Sequence, residues 1–399
     1  MQSNNRAWLV CLGCALVLFT TSGLCVNAFT VYQPYILRLN GFSNTQSSSI
    51  ISLRSLFSFL TMFLTGFYYK RLSYRIGLSL AGAIAALSLV LFGMAGSFRS
   101  YCLAAAVMGI GYGLGTMIPI TILLTRWFIK RRTLALSICS SVTGLSTLGI
   151  PSLLTALIEA YGLRLTFFIE AALVLLMALI AFLLLRDRPE QFALCDAEVS
   201  QKPEKTGGPN TVHCLRPWHW LLLIPMLLLT GTMNYTGYSH LTVFSAAMGF
   251  SAPVIALGIT ISGIAMTIGK LAYGAVSEKL SVYQGNRIFG MTALIGILIL
   301  CGSGGHVPAY FTGMLFYGAG LAFTSVGLAS WSAELSSAEQ RDRTVRIFQI
   351  GYSAGGLIST PLTGFSADIC NGSYVPAYLF FALCCVLILC TIQFIYRHS

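Results

Sequence analysis

Two positive charges stand where hydrocarbon is expected. Arg54 lies in Ser52-Leu-Arg54-Ser-Leu-Phe and Lys270 in Thr267-Ile-Gly-Lys270-Leu-Ala, each well inside an apolar stretch. A charge at the centre of a bilayer costs about 2.5–3.5 kcal/mol on insertion scales and more in simulations, so it persists where it faces a cavity or a partner. The chemistry that fits is the binding of an anion. An Arg fork holds a carboxylate through two parallel hydrogen bonds, and a Lys supplies a compact point charge. The structural alternatives are, for Arg54, a bond to a backbone carbonyl or snorkelling outward and, for Lys270, snorkelling to the cytosolic interface one turn beyond Gly274. The acids offer no match. All 12 Asp and Glu residues fall in loops or near the ends of apolar segments, with Glu159, Glu170 and Asp368 closest to a crossing. A proton-coupled exporter of cations needs a carboxylate within the membrane, so cations without acids point to an anionic solute. A shifted boundary at one of those three residues restores a carboxylate carrier.

These charges need a scaffold, and the composition names its solvent. Of 399 residues, 56% are hydrophobic and 9% charged, and the mean hydropathy is +0.78. Soluble domains carry about 25% charged residues; this chain has too little polar surface to face water. A lipid-facing backbone must satisfy itself as helices or a closed barrel. Stretches such as 173–185 and 288–300 are apolar on every side rather than alternating, which predicts helices. Twelve crossings are predicted over 7–37, 45–69, 76–97, 100–125, 132–158, 165–186, 218–247, 253–277, 287–304, 308–332, 344–368 and 374–396. The apolar run at the N-terminus is too long for the core of a signal peptide and continues past Ala28, so it reads as an uncleaved first crossing. The polar stretch 187–217, with Gln201-Lys-Pro-Glu-Lys-Thr-Gly-Gly-Pro-Asn, reads as a cytosolic linker between an N-terminal six-helix bundle (1–186) and a C-terminal one (218–399).

Lys and Arg confirm the count. With both termini cytosolic they crowd the cytosolic gaps, and only Arg38, Arg99 and Arg164 fall outside, as the positive-inside rule requires. The net charge of +12 therefore reflects membrane topology and not nucleic-acid binding. The 12 cysteines have no metal spacing; most sit in apolar segments, and Cys195 and Cys214 flank the linker as expected free thiols. Gly109, Gly111, Gly113 and Gly115 follow no strand and precede no Lys-Ser/Thr, so they serve helix packing rather than a nucleotide. No zinc-protease, Gly-x-Ser-x-Gly or ATPase motif occurs. No cofactor and no enzyme activity are expected, and any transport runs on gradients.

The halves repeat each other. Gly66-Phe-Tyr-Tyr-Lys70-Arg71-Leu-Ser follows the second crossing, and Gly274-Ala-Val-Ser-Glu278-Lys279-Leu-Ser follows the eighth. These segments resemble the signature loops of the major facilitator superfamily. The second copy places Glu278 in the acidic position, whereas the first has Lys70 there. The resemblance implies gating by Gly274, Glu278, Lys279, Lys70 and Arg71, with the latch of the first half in doubt. A narrower likeness, to the oxalate/formate antiporter and monocarboxylate transporter branch, rests on Arg126-Trp127-Phe128-Ile-Lys130-Arg131-Arg132 after the Gly-rich run, on Gly269-Lys270, and on Tyr161-Gly162-Leu-Arg164. In the oxalate antiporter a second cation stands on helix 11; the matching position here is Gly355, which argues against oxalate.

The resemblance implies that helices 1, 4, 7 and 10 line the path. Candidate binding residues are then Asn27, Tyr32 and Gln33 on the first, Tyr112 on the fourth, Asn234, Tyr238 and His240 on the seventh, Tyr317 on the tenth and Tyr352 on the eleventh, beside Arg54 and Lys270. For each of them helix packing is the competing role. His240 titrates near neutral pH when unperturbed, and Trp331 is expected as an interfacial anchor. The reading is an all-α membrane protein of two pseudo-symmetric six-helix bundles. It acts as a monomer in the cytoplasmic membrane and moves a small organic anion, a monocarboxylate, by exchange or proton symport. The alternatives are a multidrug or metabolite exporter of the same fold, and a sensor that binds without flux.

Overall fold

The computed structural model describes residues 2–42, 44–128, 131–146, 148, 150–187, 218–336 and 340–398. They form twelve helical rods joined by short turns, with no strand among the described residues. The rods are α1 (residues 2–40), α2 (Asn44–Arg71), α3 (Tyr74–Met94), α4 (residues 98–127), α5 (Arg132–Leu145 and residues 150–161), α6 (residues 163–184), α7 (residues 219–247), α8 (Ala252–Lys279), α9 (Val282–Gly302), α10 (residues 307–334), α11 (Arg341–Ile369) and α12 (Val375–His398). The stretch read as a linker, with Cys195 and Cys214, lies outside the described residues apart from Asp187. That carboxylate accepts the Arg75 amide at 3.1 Å and so ties the end of α6 to the start of α3.

Composition explains the rods, and capping explains several of their ends. Nine stretches among the described residues are long and apolar enough to cross a bilayer on these grounds alone; the one at Leu153–Leu184 runs through the corner between α5 and α6. That corner is Gly162, whose φ of 81° favours glycine over any residue with a Cβ. It allows α6 to start with no intervening loop. The repeated Leu-Ser pairs end in matching caps. Ser73 accepts the Ile76 amide at 3.3 Å and Ser281 accepts the Gln284 amide at 3.1 Å, so α3 and α9 begin earlier than predicted. Leucines such as Leu175, Leu176, Leu179 and Leu183 on α6 remain exposed, as a lipid-facing surface requires.

Glycine sets the spacing between rods. The alternating glycines of α4 serve two faces. A Cβ at Gly109 would collide with the Arg54 carbonyl oxygen of α2, and one at Gly113 would come 2.7 Å from the Ser58 oxygen one turn further along. Gly111 packs on Ala85 of α3 and Gly115 on Thr21 of α1. Two small-residue faces are thus interleaved in one helix, and the packing role expected for these glycines holds.

The halves meet chiefly along α5 with α8 and α10, α2 with α11, and α4 with α11. These contacts gather toward the end where both termini lie. At the opposite end, residues 28–40 and 237–247 pack chiefly within their own half.

Candidate substrate site

The four lead helices all lose regularity at mid-length. In α1 a π-helical segment, Phe19–Asn27, passes into a 3-10 turn, Ala28–Val31. α4 is interrupted at Gly115 and Thr116. α7 has a π segment at Thr232–Thr236 and α10 one at Phe323–Gly327. Bulges of this kind gather at functional sites, and non-helical backbone at membrane depth survives only where protein or water meets it. Hydrogen bonds join the irregular levels in pairs. Thr21 Oγ1 donates to the Gly115 carbonyl at 3.1 Å, linking α1 to α4, and Asn234 Nδ2 donates to Thr324 Oγ1 at 2.5 Å, linking α7 to α10.

Arg54 sits at this level. Its side chain is only 6% exposed, Nη1 lies 3.4 Å from the Cys25 carbonyl oxygen in the π segment of α1, and the guanidinium carbon stands 5.7 Å from the centre of the Phe29 ring. That single long bond is the one Arg54 makes among the described residues, and a guanidinium carries five donors. The Tyr112 phenol lies near Ser22 and within electrostatic range of Arg54 and of Tyr235. Tyr352 is in turn within range of Tyr112 and Tyr235. One cation and three phenols from α2, α4, α7 and α11 are thus linked through Tyr112 across both halves, and the phenols are part-buried. Tyr235 was not among the predicted residues. Its signal was its place beside Asn234, on the helix already singled out. Close glycine packing puts it there: a Cβ at Gly356 would come 2.8 Å from Tyr235 Cβ, and one at Gly355 would collide with the Leu228 carbonyl oxygen. The position that carries a cation in the oxalate antiporter is here filled by a backbone approach.

Lys270 is equally buried, at 5% exposure, but differently employed. Nζ donates to Thr143 Oγ1 at 2.9 Å and to the Ser140 carbonyl at 3.3 Å, both on α5 of the other half. It does not snorkel. Small residues flank it: a Cβ at Gly144 would strike Thr267 Oγ1, and one at Gly274 would strike Ser137 Oγ. At the foot of this seam Glu278, exposed at the end of α8, lies near Leu134 in the first turn of α5 and near Arg131. Asn27 Nδ2 donates to the Thr143 carbonyl at 3.0 Å, so Thr143 joins Lys270 to α1. Lys279 is exposed at the end of α8. Lys70 and Arg71 are exposed at the end of α2, with Arg71 lying 4.6 Å over its own helix's Phe67. The first half meets α11 instead through Gly66, packed against the Arg346 guanidinium, and through an ion pair of Arg126 with Asp342 at 3.1 Å.

The remaining predicted residues divide. Tyr317 is fully buried and donates to the Met233 carbonyl at 2.9 Å, bracing α10 against α7. Tyr238 lies beside Ser262 of α8. The structure does not bring His240 to Arg54: its Nδ1 is 2.9 Å from the Thr236 carbonyl, with its ring 5.9 Å from Tyr374 at the start of α12. Gln33 is half-buried on α1, and Tyr32 is fully buried, donating to Glu170 at 2.5 Å. Two expectations need correction. Trp331 is not an interfacial anchor, being 1% exposed and packed edge-on to Phe348. Glu170 is not at a helix end: with no loop before α6, it lies two turns in and is 3% exposed. Glu159 is exposed, and the Asp368 side chain lies outside the described set. No cluster of metal-ligating side chains occurs among the described residues.

This architecture defines a multi-pass membrane protein built to move a small molecule. Residues 11–360 match the family model described as Major Facilitator Superfamily, and the chain belongs to that superfamily. Among curated relatives, Monocarboxylate transporter 13 of Bos taurus is 25% identical over 305 residues, covering 75% of this chain and 68% of that protein. The Aspyridones efflux protein apdF of Emericella nidulans is 22% identical over 304 residues, covering 74% of this chain and 58% of that protein. Among solved structures, FucP in the outward conformation superposes with a TM-score of 0.72 at 18% identity, covering 98% of both chains. The protein is a transporter of this superfamily, similar to its monocarboxylate branch.

Proposed function

We propose that the protein moves a small organic anion, a monocarboxylate, across the cytoplasmic membrane, with both termini cytosolic, by exchange or proton symport. The observation that carries this reading is Arg54, a buried guanidinium at the level where the four lead helices are irregular. It makes one long bond to a carbonyl and no ion pair among the described residues. Such a charge calls for a guest of opposite sign, and a carboxylate satisfies its fork in two bonds. Tyr112, Tyr235 and Tyr352 supply hydroxyl donors and a wall that limits the guest to a small one. The similarity to Monocarboxylate transporter 13 supports the same class. Lys270, Gly274 and Glu278 form the seam that opens and closes access from the terminal end, and Asp342 with Arg126 takes over the latch that Lys70 cannot make.

The test is uptake of labelled lactate, pyruvate and other monocarboxylates into proteoliposomes. Wild-type protein takes up at least one of them, and Arg54→Gln loses that uptake while remaining folded in the bilayer. Uptake unchanged in Arg54→Gln removes the anion argument. A second reading, an exporter of apolar metabolites, draws on the efflux relative and on a cavity of about 340 Å³ between α7, α11 and α12, lined by Leu229, Ile358, Leu362 and Phe380. That cavity faces the exposed side of α11, where Leu362 is 59% exposed, and away from Arg54. The exporter reading requires transport that survives loss of Lys270.

A further inference from the structure

Glu170 is a buried carboxyl that anion binding leaves unused. It stands seven residues past the start of α6, about 10 Å along the helix axis. Its Oε2 accepts from the Tyr32 hydroxyl at 2.5 Å, and its Oε1 has no hydrogen-bond partner among the described residues. No ion pair to it occurs among the described residues. The surroundings are aromatic: Tyr32 stacks on Phe167 at 4.1 Å, Phe167 on Phe92 at 5.6 Å, and Phe29 lies against both Tyr32 and Phe92.

The helices packed on α6 offer little charge. α1 presents Cys25 and Tyr32, α3 carries no ionisable side chain beyond Tyr74 and Arg75 in its first turn, and Tyr101 of α4 is engaged with Phe92, Phe42 and Asn40. On α6 itself, Arg164 turns toward Phe168. Arg54 is bound instead to the irregular segment of α1, where its Nη1 reaches the Cys25 carbonyl. An ionised carboxylate in such a setting, with one hydroxyl donor, is strongly disfavoured, whereas the protonated acid is not.

We propose that Glu170 is the proton-binding site of the transporter, and that symport of a proton with the anion is the mode of coupling. The inference rests on the anion reading above. The proton adds to the carboxylate, giving a neutral acid that Tyr32 holds by its remaining oxygen. Release to the cytosol regenerates the carboxylate once α1 and Arg54 have moved toward it or water has entered. Proton and monoanion together cross as a neutral pair. The irregular part of α1 is the coupling element, because the Cys25 carbonyl, bonded to Arg54, lies within it and Tyr32, bonded to Glu170, stands directly after it.

The test separates coupling from transport. In proteoliposomes holding the monocarboxylate that wild-type protein accepts, Glu170→Gln loses accumulation driven by an inward proton gradient but keeps exchange of labelled for unlabelled probe at the wild-type rate. Gradient-driven accumulation retained in Glu170→Gln overturns the proposal. So does loss of exchange together with accumulation in folded protein, which assigns Glu170 a structural role. A substrate-free readout covers poor folding of that variant. Infrared difference spectra of wild-type protein in lipid show the carbonyl stretch of a protonated acid that bleaches as pH rises, and that is shifted but kept in Glu170→Asp. Absence of this band at neutral pH overturns the proposal. If wild-type protein moves no monocarboxylate yet the band is present, the anion reading fails and the proton site stands.

Discussion

Arg54 and Lys270 are buried to almost the same degree, yet they are held in opposite ways. Lys270 has two neutral acceptors on the facing half, at 2.9 and 3.3 Å, and Arg54 has one carbonyl of its own half at 3.4 Å. A buried ion costs several kcal/mol to desolvate. Hydrogen bonds from a charged donor return about 1.5–3 kcal/mol each. For Lys270 these terms nearly balance. For Arg54, with one long bond, they do not, which is the imbalance that the proposed anionic guest would fill. The contrast shows that burial of a cation is not by itself a mark of substrate binding; how many of its donors are used, and by which half, decides the role.

The largest effect expected is at Arg54. Arg54→Gln removes the fork, and a bidentate charge-assisted pair lost from a buried site corresponds to about 2–4 kcal/mol, or roughly a 30- to 1,000-fold weaker affinity. Thermal-shift titration of the purified protein with the accepted monocarboxylate then shows no stabilisation, because a ligand raises stability only if it binds the folded state. Arg54→Lys recovers little, since an ammonium cannot span two oxygens in parallel. Full recovery by Lys would reduce Arg54 to a point charge and blur the comparison.

Lys270 is expected to break differently. Lys270→Met makes the seam between α5 and α8 apolar, which stabilises the closed terminal end. Affinity in the thermal-shift assay stays near wild type while flux falls by about tenfold, the equivalent of 1.4 kcal/mol. Loss of affinity equal to that of Arg54→Gln would place both cations on the substrate and cancel the distinction.

The glycines of the seam and of the half interiors extend the same contrast. A Cβ at Gly144 strikes Thr267 across the halves, whereas one at Gly355 strikes Leu228 within the C-terminal half. Gly144→Ala therefore wedges the seam. Alkylation of Ser137→Cys from the terminal side rises in that background, with little change in melting temperature. Gly355→Ala overpacks α7 against α11 at a cost of about 1–3 kcal/mol and lowers the melting temperature without raising alkylation. The reverse pattern would mean that the halves move along a different seam.

Much of this was legible in the sequence because lipid is a strict solvent. The twelve crossings, the repeated loop and the two intramembrane cations follow from hydropathy and charge alone. The π segments were not legible: Phe19–Asn27 reads as an ordinary apolar helix with small residues, and only the hydrogen bonds among helices show where its register slips. Glu170 was misplaced because a loop was assumed between α5 and α6, whereas Gly162 turns the chain within one residue. Lys270 is legible as an intramembrane cation, but its partners, Ser140 and Thr143, lie far away along the chain and carry no charge to betray them. The missing acid at Lys70 was plain. The partner of Arg126, Asp342 at the start of α11, was not, because nothing local marks a carboxylate as the one it meets.

That ion pair is where the smallest effect is expected, and its size tests how the closed end is shared. Arg126 and Asp342 meet at 3.1 Å with side chains 38% and 40% exposed. Pairs this open to solvent contribute about 0–1 kcal/mol. Asp342→Asn should then raise alkylation of Ser137→Cys by no more than about fivefold, a ratio that 1 kcal/mol sets. The increase should shrink as salt is added, because exposed charges are screened. Arg126→Ala should exceed it, since the Arg126 guanidinium also lies 4.8 Å over the Tyr74 ring at the start of α3. The excess should persist in high salt, as a contact with an aromatic face is screened less than an open ion pair. If Asp342→Asn instead opened the terminal end as far as Gly144→Ala does, the latch would reside in this exposed pair, and the Lys270 seam would be packing that follows the motion rather than the part that sets it.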